Sequence, residues 1–198
     1  MQRLLGSMLL SGAMTVAMTT TAAAQIAHQA DAQPKYPVEV ALTYNAAYSG
    51  TAGSKSFWMQ GGSAELDATI FRGFGLAADF AGLHTGNINS SGVGLDMVTT
   101  TFGPRYAWKP AKGKYSIFGK ALVGEAFGFN SVFPGPSGAN TVDHTLAVEA
   151  GGGIDIALRP HLALRAVDAD WLRTQFPNST TNSQNNLRLG AGIVLRFQ

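Results

Sequence analysis

The sequence predicts an all-β protein, a single eight-stranded antiparallel up-and-down transmembrane β-barrel. Three observations carry that prediction. Apolar and polar residues alternate with period two in eight separate stretches, and a strand turns successive side chains to opposite faces. The connections between the stretches are short at one end and longer and polar at the other, as in barrels that cross a bilayer. Aromatic residues gather at the ends of the stretches, where amphipathic rings sit at a membrane–water boundary.

Composition narrows the field before any strand is drawn. The chain has 198 residues, 45% hydrophobic and 13% charged, with 24 Gly, no Cys and a formal charge of +2. Charge is thus about half the usual ~25%. No block of Lys and Arg stands apart from compensating acids, so no nucleic-acid partner is expected. The lack of Cys excludes a disulfide scaffold and thiolate metal sites. Residues 1–24 have the form of a signal peptide: a positive start at Arg3, an apolar stretch from Leu4 to Met18, and Ala22-Ala23-Ala24 as the cleavage site. That stretch is shorter than the ~18 residues a transmembrane helix needs. Residues 25–36, polar and proline-bearing, read as a flexible periplasmic lead-in, and 37–198 as the barrel.

The first strand sets Val38, Val40, Leu42, Tyr44, Ala46 and Tyr48 on one face against Glu39, Ala41, Thr43, Asn45 and Ala47 on the other. In the second, from Trp58 to Ile70, Ala64, Leu66, Ala68 and Ile70 oppose Ser63, Glu65, Asp67 and Thr69. Leu76, Ala78 and Phe80 oppose Asp79 in the third, and Val98, Thr100, Phe102 and Tyr106 oppose Gly103 and Arg105 in the fourth. The fifth places Ile117, Ala121 and Val123 against Ser116 and Lys120. The sixth places Leu146, Val148, Ala150, Ile154 and Ile156 against Glu149, Gly151, Gly153 and Asp155. The eighth sets Leu187, Leu189, Ala191, Ile193, Leu195 and Phe197 against Arg188, Gly190, Gly192 and Arg196. The seventh, Leu162 to Trp171, breaks parity: Asp168 and Asp170 share the face of Leu164, not that of Arg165. One extra residue near Ala166-Val167, a β-bulge, restores both acids to the Arg165 face. Glu125 also breaks parity, which calls either for a second bulge at Gly124 or for a position above the bilayer. Asn130 to Asp143 and Arg173 to Asn186 read as the large loops.

Orientation decides the class, since a soluble barrel points its apolar face inward and a membrane barrel outward. Much of the Gly shares the charged face, and a crowded eight-stranded interior needs small residues beside long polar ones. Tyr48, Trp58 and Trp171 form one aromatic belt; Tyr106, Trp108 and Tyr115, with Tyr36, Phe71, Phe74 and Phe197, form the other. The interior then holds Glu39, Glu65, Asp67, Asp79, Glu149, Asp155, Asp168 and Asp170 against Arg105, Lys120, Arg165, Arg188 and Arg196. Counting across the turns places Asp155 opposite Arg165 and Asp67 beside Asp79; ring closure brings Glu39 to Arg196.

The stretch from about Tyr36 to Phe197 resembles the small outer-membrane β-barrels of the OmpA/OmpX and opacity type. TFGPRYAW, EAGGGIDIAL and the terminal LRLGAGIVLRF carry the likeness. The resemblance implies a terminal strand read by the barrel-assembly machinery, here through Gly192, Leu195 and Phe197, with Gln198 as one extra residue. It also implies a Gram-negative outer-membrane location, with outer-membrane lipid as solvent and an unidentified extracellular ligand or surface as a partner.

Catalytic patterns are weak. Asp143-His144 with Thr141 or Ser137 could be drawn as a triad, but no positioned nucleophile motif accompanies it. Gly151-Gly152-Gly153 precedes no helix start, so a crowded wall explains it better than a phosphate cradle. Asn89-Ser90-Ser91 and Asn178-Ser179-Thr180 read as turn formers. No clustered His and carboxylate spacing suggests a metal, and no cofactor is expected. The expected role is therefore non-enzymatic, structural or surface-interacting through the extracellular loops. A narrow cation-preferring channel is the alternative, followed by a lipid-A-modifying barrel enzyme and a secreted soluble barrel.

Overall fold

The computed structural model of the protein describes residues 38–51, 56–110, 113–135, 138–178 and 181–197. The expected signal peptide and lead-in, Tyr36, Ser137 and Gln198 lie outside the described residues. Eight strands follow in chain order: β1 (Val38–Thr51), β2 (Phe57–Phe71), β3 (Phe74–Thr85), β4 (Leu95–Trp108), β5 (Tyr115–Gly135), β6 (Gly138–Arg159), β7 (Leu162–Thr174) and β8 (Gln184–Phe197). Each pairs antiparallel with its neighbour in sequence, and β8 pairs with β1 to close the ring.

The stagger of that ring sets its width. Paired residues lead from Val40 through Leu66, Ala78, Phe102, Val123, Val148, Arg173 and Asn185 back to Gly50, ten positions farther along β1. Eight strands with that offset tilt by about 40°, leaving an interior just wide enough for side chains to fill.

The period-two pattern becomes a barrel turned inside out relative to a soluble one. Leu66 is 52% exposed and Phe102 66% exposed on the outer wall, while Glu65 and Arg105 face inward at 2% and 4%. Both aromatic belts stand on the outer wall. Tyr48 packs on Trp58 with ring centroids 5.0 Å apart at the loop end, and Trp171 is likewise exposed there. At the turn end Phe74 meets Tyr106 at 4.6 Å and Trp108 meets Tyr115 at 6.3 Å.

Irregularities fall where backbone chemistry demands them. The register of β7 shifts between Arg165 and Asp168 against β8, and between Ile154 and Asp155 on the β6 side. This is the bulge expected at Ala166-Val167, and it returns Asp168 and Asp170 to the inner face. The β2–β3 turn is the two residues Arg72 and Gly73, both at positive φ (47° and 89°). Such a turn matches the twist of its strands and needs a residue tolerant of that backbone region. A further irregularity between Thr69 and Phe71 fixes the register so that Glu65, not Asp67, faces Asp79, and Asp67 faces Ala77. The expected Asp67–Asp79 pairing is thereby corrected: the tight Arg72-Gly73 turn and the irregular residue each move the register by one position.

One of the two alternatives for Glu125 falls away, and one expected loop changes. No bulge sits at Gly124: β4 and β5 pair without interruption from Asp96–Phe129 to Phe102–Val123, and Glu125 points outward toward the loop end. The segment Asn130 to Asp143 is mostly strand. Its alternation lapses between Phe129 and Phe133, with Asn130 at φ 56°, then pairing resumes from Phe133–Asn140 to Gly135–Gly138. β5 and β6, 21 and 22 residues long, therefore exceed the ~9–11 residues a crossing requires. They form a hairpin that continues past the loop-end limit of the β4–β5 pairing.

Candidate functional site

The interior is the most distinctive chemistry of the molecule, and every strand contributes a charged side chain to it. Arg165, fully buried, lies at the centre. Its Nη1 donates to Glu65 Oε1 at 2.6 Å and Asp168 Oδ2 at 3.1 Å, and its Nε donates to Asp155 Oδ1 at 3.0 Å. Lys120 Nζ reaches Glu65 Oε2 at 2.6 Å, Glu149 Oε1 and Asp170 Oδ1 at 3.3 Å, and Asp168 Oδ2 at 3.6 Å. Arg188 holds Glu149 Oε1 at 2.7 Å, Asp170 Oδ2 at 2.8 Å and Asp79 Oδ1 at 3.0 Å. Toward the turn end Arg105 lies 3.2 Å from Asp67 and 3.7 Å from Asp155, and Arg196 binds Glu39 at 3.0 Å. Lys109, absent from the sequence-derived inventory, reaches in to Glu39 at 2.9 Å. It adds a sixth cation against the eight carboxylates.

The physics of this cluster is collective. A buried charge with no partner is costly, and an isolated buried pair scarcely breaks even, but several forked hydrogen bonds per ion offset the desolvation. Small wall residues make room for it. A Cβ on Gly151 would lie 2.1 Å from the Asp170 carboxylate, and one on Gly153 would lie 2.9 Å from the Phe118 ring. Phe118 itself carries the guanidinium groups of Arg105 and Arg165 at 4.5 and 4.3 Å from its centroid, a cation–π arrangement favoured in a desolvated site. Sequence reasoning passed over Phe118, although it shares the parity of Ser116 and Lys120.

Above the charges the interior turns apolar, which the sequence reading also missed. Met59, Leu83, Met97, Phe133, Leu172 and Phe176 form one buried cluster with Ala47, Ala126 and Ala147. The signal was present in parity: Met59 stands in step with Glu65, Leu83 with Asp79, and Leu172 with Asp170. At the loop end of β2, β3, β4 and β7 the inward face changes from charged to oily, whereas β8 turns Asn186 and Gln184 inward there.

The remaining candidates sit on the rim. Asp143 and His144 are consecutive in β6 and so turn to opposite faces; His144 stacks outward on Phe127, with centroids 6.1 Å apart. They do not assemble a triad. His84 and Asn130 both bind the Asp96 carboxylate on the outer wall. His161 contacts the Arg196 carbonyl at 3.1 Å in the β6–β7 turn. Asn178 Oδ1 accepts from the backbone of Thr181 and Asn182, as a turn former does. Leu195 and Phe197 lie on the outer-facing parity of β8, whereas Gly192 shares the inward parity of Arg188 and Arg196; Gly192 is pressed on β1, where a Cβ would be 1.9 Å from the Leu42 carbonyl oxygen. Among the described residues no group of three or more His or acidic residues is arranged to hold a metal ion.

No protein-family model matches the chain, and no curated protein matches it. Solved structures do. Neisserial surface protein A superposes with a TM-score of 0.62 at 13% identity, over 81% of this chain and 97% of that one. The attachment invasion locus protein Ail of Yersinia pestis gives 0.55 at 17% identity, over 83% and 100%. A second crystal structure of Ail, in complex with the heparin analogue sucrose octasulfate, gives 0.54. The fold is that of small outer-membrane β-barrels.

Proposed function

We propose that this protein is an integral, non-enzymatic barrel of the Gram-negative outer membrane that acts through its exposed loop end. The observation that carries the proposal is the filled interior. Twelve of the charged groups pointing inward are at most 5% exposed and are held by one another across all eight strands. Such a charged layer plugs the barrel and fixes its shape, leaving no passage for solutes. The outer wall, apolar between two aromatic belts, supports outer-membrane lipid as the surrounding solvent. The upper pairs of the β5–β6 hairpin, from Phe133–Asn140 to Gly135–Gly138, then supply a contact surface for an extracellular partner, as the likeness to a surface protein and an attachment protein suggests. The outward terminal aromatic Phe197 supports recognition by the barrel-assembly machinery.

The channel reading is tested at the same time. In planar bilayers the purified barrel produces no steady unitary conductance; reproducible cation-selective steps would overturn the plugged interior. In intact cells, a label on Ser90→Cys reacts with a membrane-impermeant maleimide, whereas one on Arg159→Cys does not. The reverse pattern would overturn the assignment of the loops to the cell exterior.

A further inference from the structure

The apolar upper interior is not fully packed. A cavity of about 270 Å³ remains among Phe57, Met59, Leu95, Met97, Phe133 and Phe176, with Ile88, Val132 and Pro177 at its upper rim. Native interiors seldom leave voids larger than a water molecule, and this one is partly open rather than sealed. Its chemistry is one-sided. No charged side chain lines it. Three of the polar groups in its wall are held by neighbours: Gln184 accepts from the Phe176 backbone N–H at 2.9 Å and donates to the Phe176 carbonyl at 2.8 Å, Thr174 donates to Gln184 at 3.2 Å, and Asn186 donates to the Leu172 carbonyl at 3.1 Å; Ser49 and Ser131 add neutral hydroxyl groups. Below it Leu83, Leu172 and three alanines separate it from the Arg188 layer.

Methionine usage points the same way. Beyond residue 18 the chain has methionine only at positions 59 and 97, and both border this cavity. Unbranched, polarisable thioethers adapt to ligands of varied shape better than branched aliphatic side chains do.

We propose that this cavity is a binding site for a small uncharged apolar molecule, entering from the loop end and resting on the Met59–Met97 floor. An apolar cavity of ~150 Å³ accommodates benzene, so by proportion this one holds about ten carbon atoms. An ionised group is disfavoured, because no charged side chain in the wall pairs with it. The site is independent of the surface-contact role proposed above and stands or falls without it.

The test uses the barrel in lipid nanodiscs with ¹³C-methyl methionine, titrated with 1-decanol and, separately, with decanoate at pH 8. The Met59 and Met97 methyl resonances shift to saturation with decanol, at least tenfold more readily than with decanoate, and show nuclear Overhauser contacts to the alkyl chain. In Met97→Trp and Ser49→Phe, which fill the cavity from opposite walls, the saturable shift disappears. Each variant is first shown to be folded by its unheated gel mobility. Unsaturable shifts, equal response to both ligands, or unchanged saturation in a folded filled variant would overturn the proposal. Absence of contacts between decanol and the two methyl groups in the unsubstituted barrel would overturn it without recourse to either variant.

Discussion

Replacing Arg165 by Leu is the sharpest perturbation of the charged interior. Leu is apolar and smaller, so the substitution removes the guanidinium and leaves Glu65, Asp155 and Asp168 without the donors they meet at 2.6, 3.0 and 3.1 Å. Asp155 is left with Arg105 alone, at 3.7 Å. Stripping one partner from a buried pair costs about 3–5 kcal/mol. At this chain length each kcal/mol moves the unfolding midpoint by about 2–4 °C, so the drop is about 6–20 °C. The assay is the temperature at which the folded, fast-migrating gel band converts to the unfolded one, with circular dichroism in the same detergent. Arg165→Lys retains the charge but not the fork, and falls between wild type and Leu. Replacing Arg165 and Asp155 together with apolar residues recovers part of the loss, because one unpaired carboxylate is removed with the guanidinium. A midpoint for Arg165→Leu within about 2 °C of wild type, the span of a neutral surface change, would refute the reasoning.

Other substitutions separate packing from recognition. Gly192→Ala thrusts a methyl group into the Leu42 carbonyl and lowers the unfolding midpoint of barrel refolded in vitro. Phe197→Ala, on the exposed wall, leaves that midpoint within about 2 °C yet reduces the amount assembled in cells; the opposite pairing of effects would reverse the two roles. Phe102→Lys places a charge on the lipid-facing wall between the belts and destabilises the barrel by about 2–4 kcal/mol in urea titrations from vesicles. The same change at Ser90, in the β3–β4 loop, has no measurable effect. Deleting Ala166 removes the bulge and turns either Arg165 or Asp168 and Asp170 toward lipid, so no heat-modifiable band forms.

Alternation made the barrel legible, because a transmembrane strand must show one face to lipid and the other to the interior along its whole length. The bulge in β7 was readable for the same reason: Asp168 and Asp170 on a lipid face are too costly to accept. Register was less accessible. The irregularity between Thr69 and Phe71 leaves no mark in composition, yet together with the tightness of the Arg72-Gly73 turn it exchanges Asp67 for Glu65 as the neighbour of Asp79. The upper β5–β6 hairpin was hidden because it extends past the neighbouring strands, where neither face must be apolar and the period fades at Asn130-Ser131. Lys109 escaped notice because it lies just past the last residue of β4, and its Nζ reaches Glu39 only through three-dimensional closure. The oily upper interior had a sequence signal in Met59, Leu83, Met97 and Leu172; a membrane barrel's inner face was assumed to be polar throughout.

The direction in which the two faces point is best measured with nitroxide spin labels at Leu66, Val148 and Ile193 in phospholipid vesicles, with Ser90 as the aqueous control. At the three wall positions relaxation is enhanced by oxygen, which concentrates in acyl chains, and hardly by a water-soluble nickel chelate; Ser90 shows the reverse. Labels at Leu66, Val148 and Ile193 that are immobilised and shielded from oxygen, as in a packed core, would contradict the account.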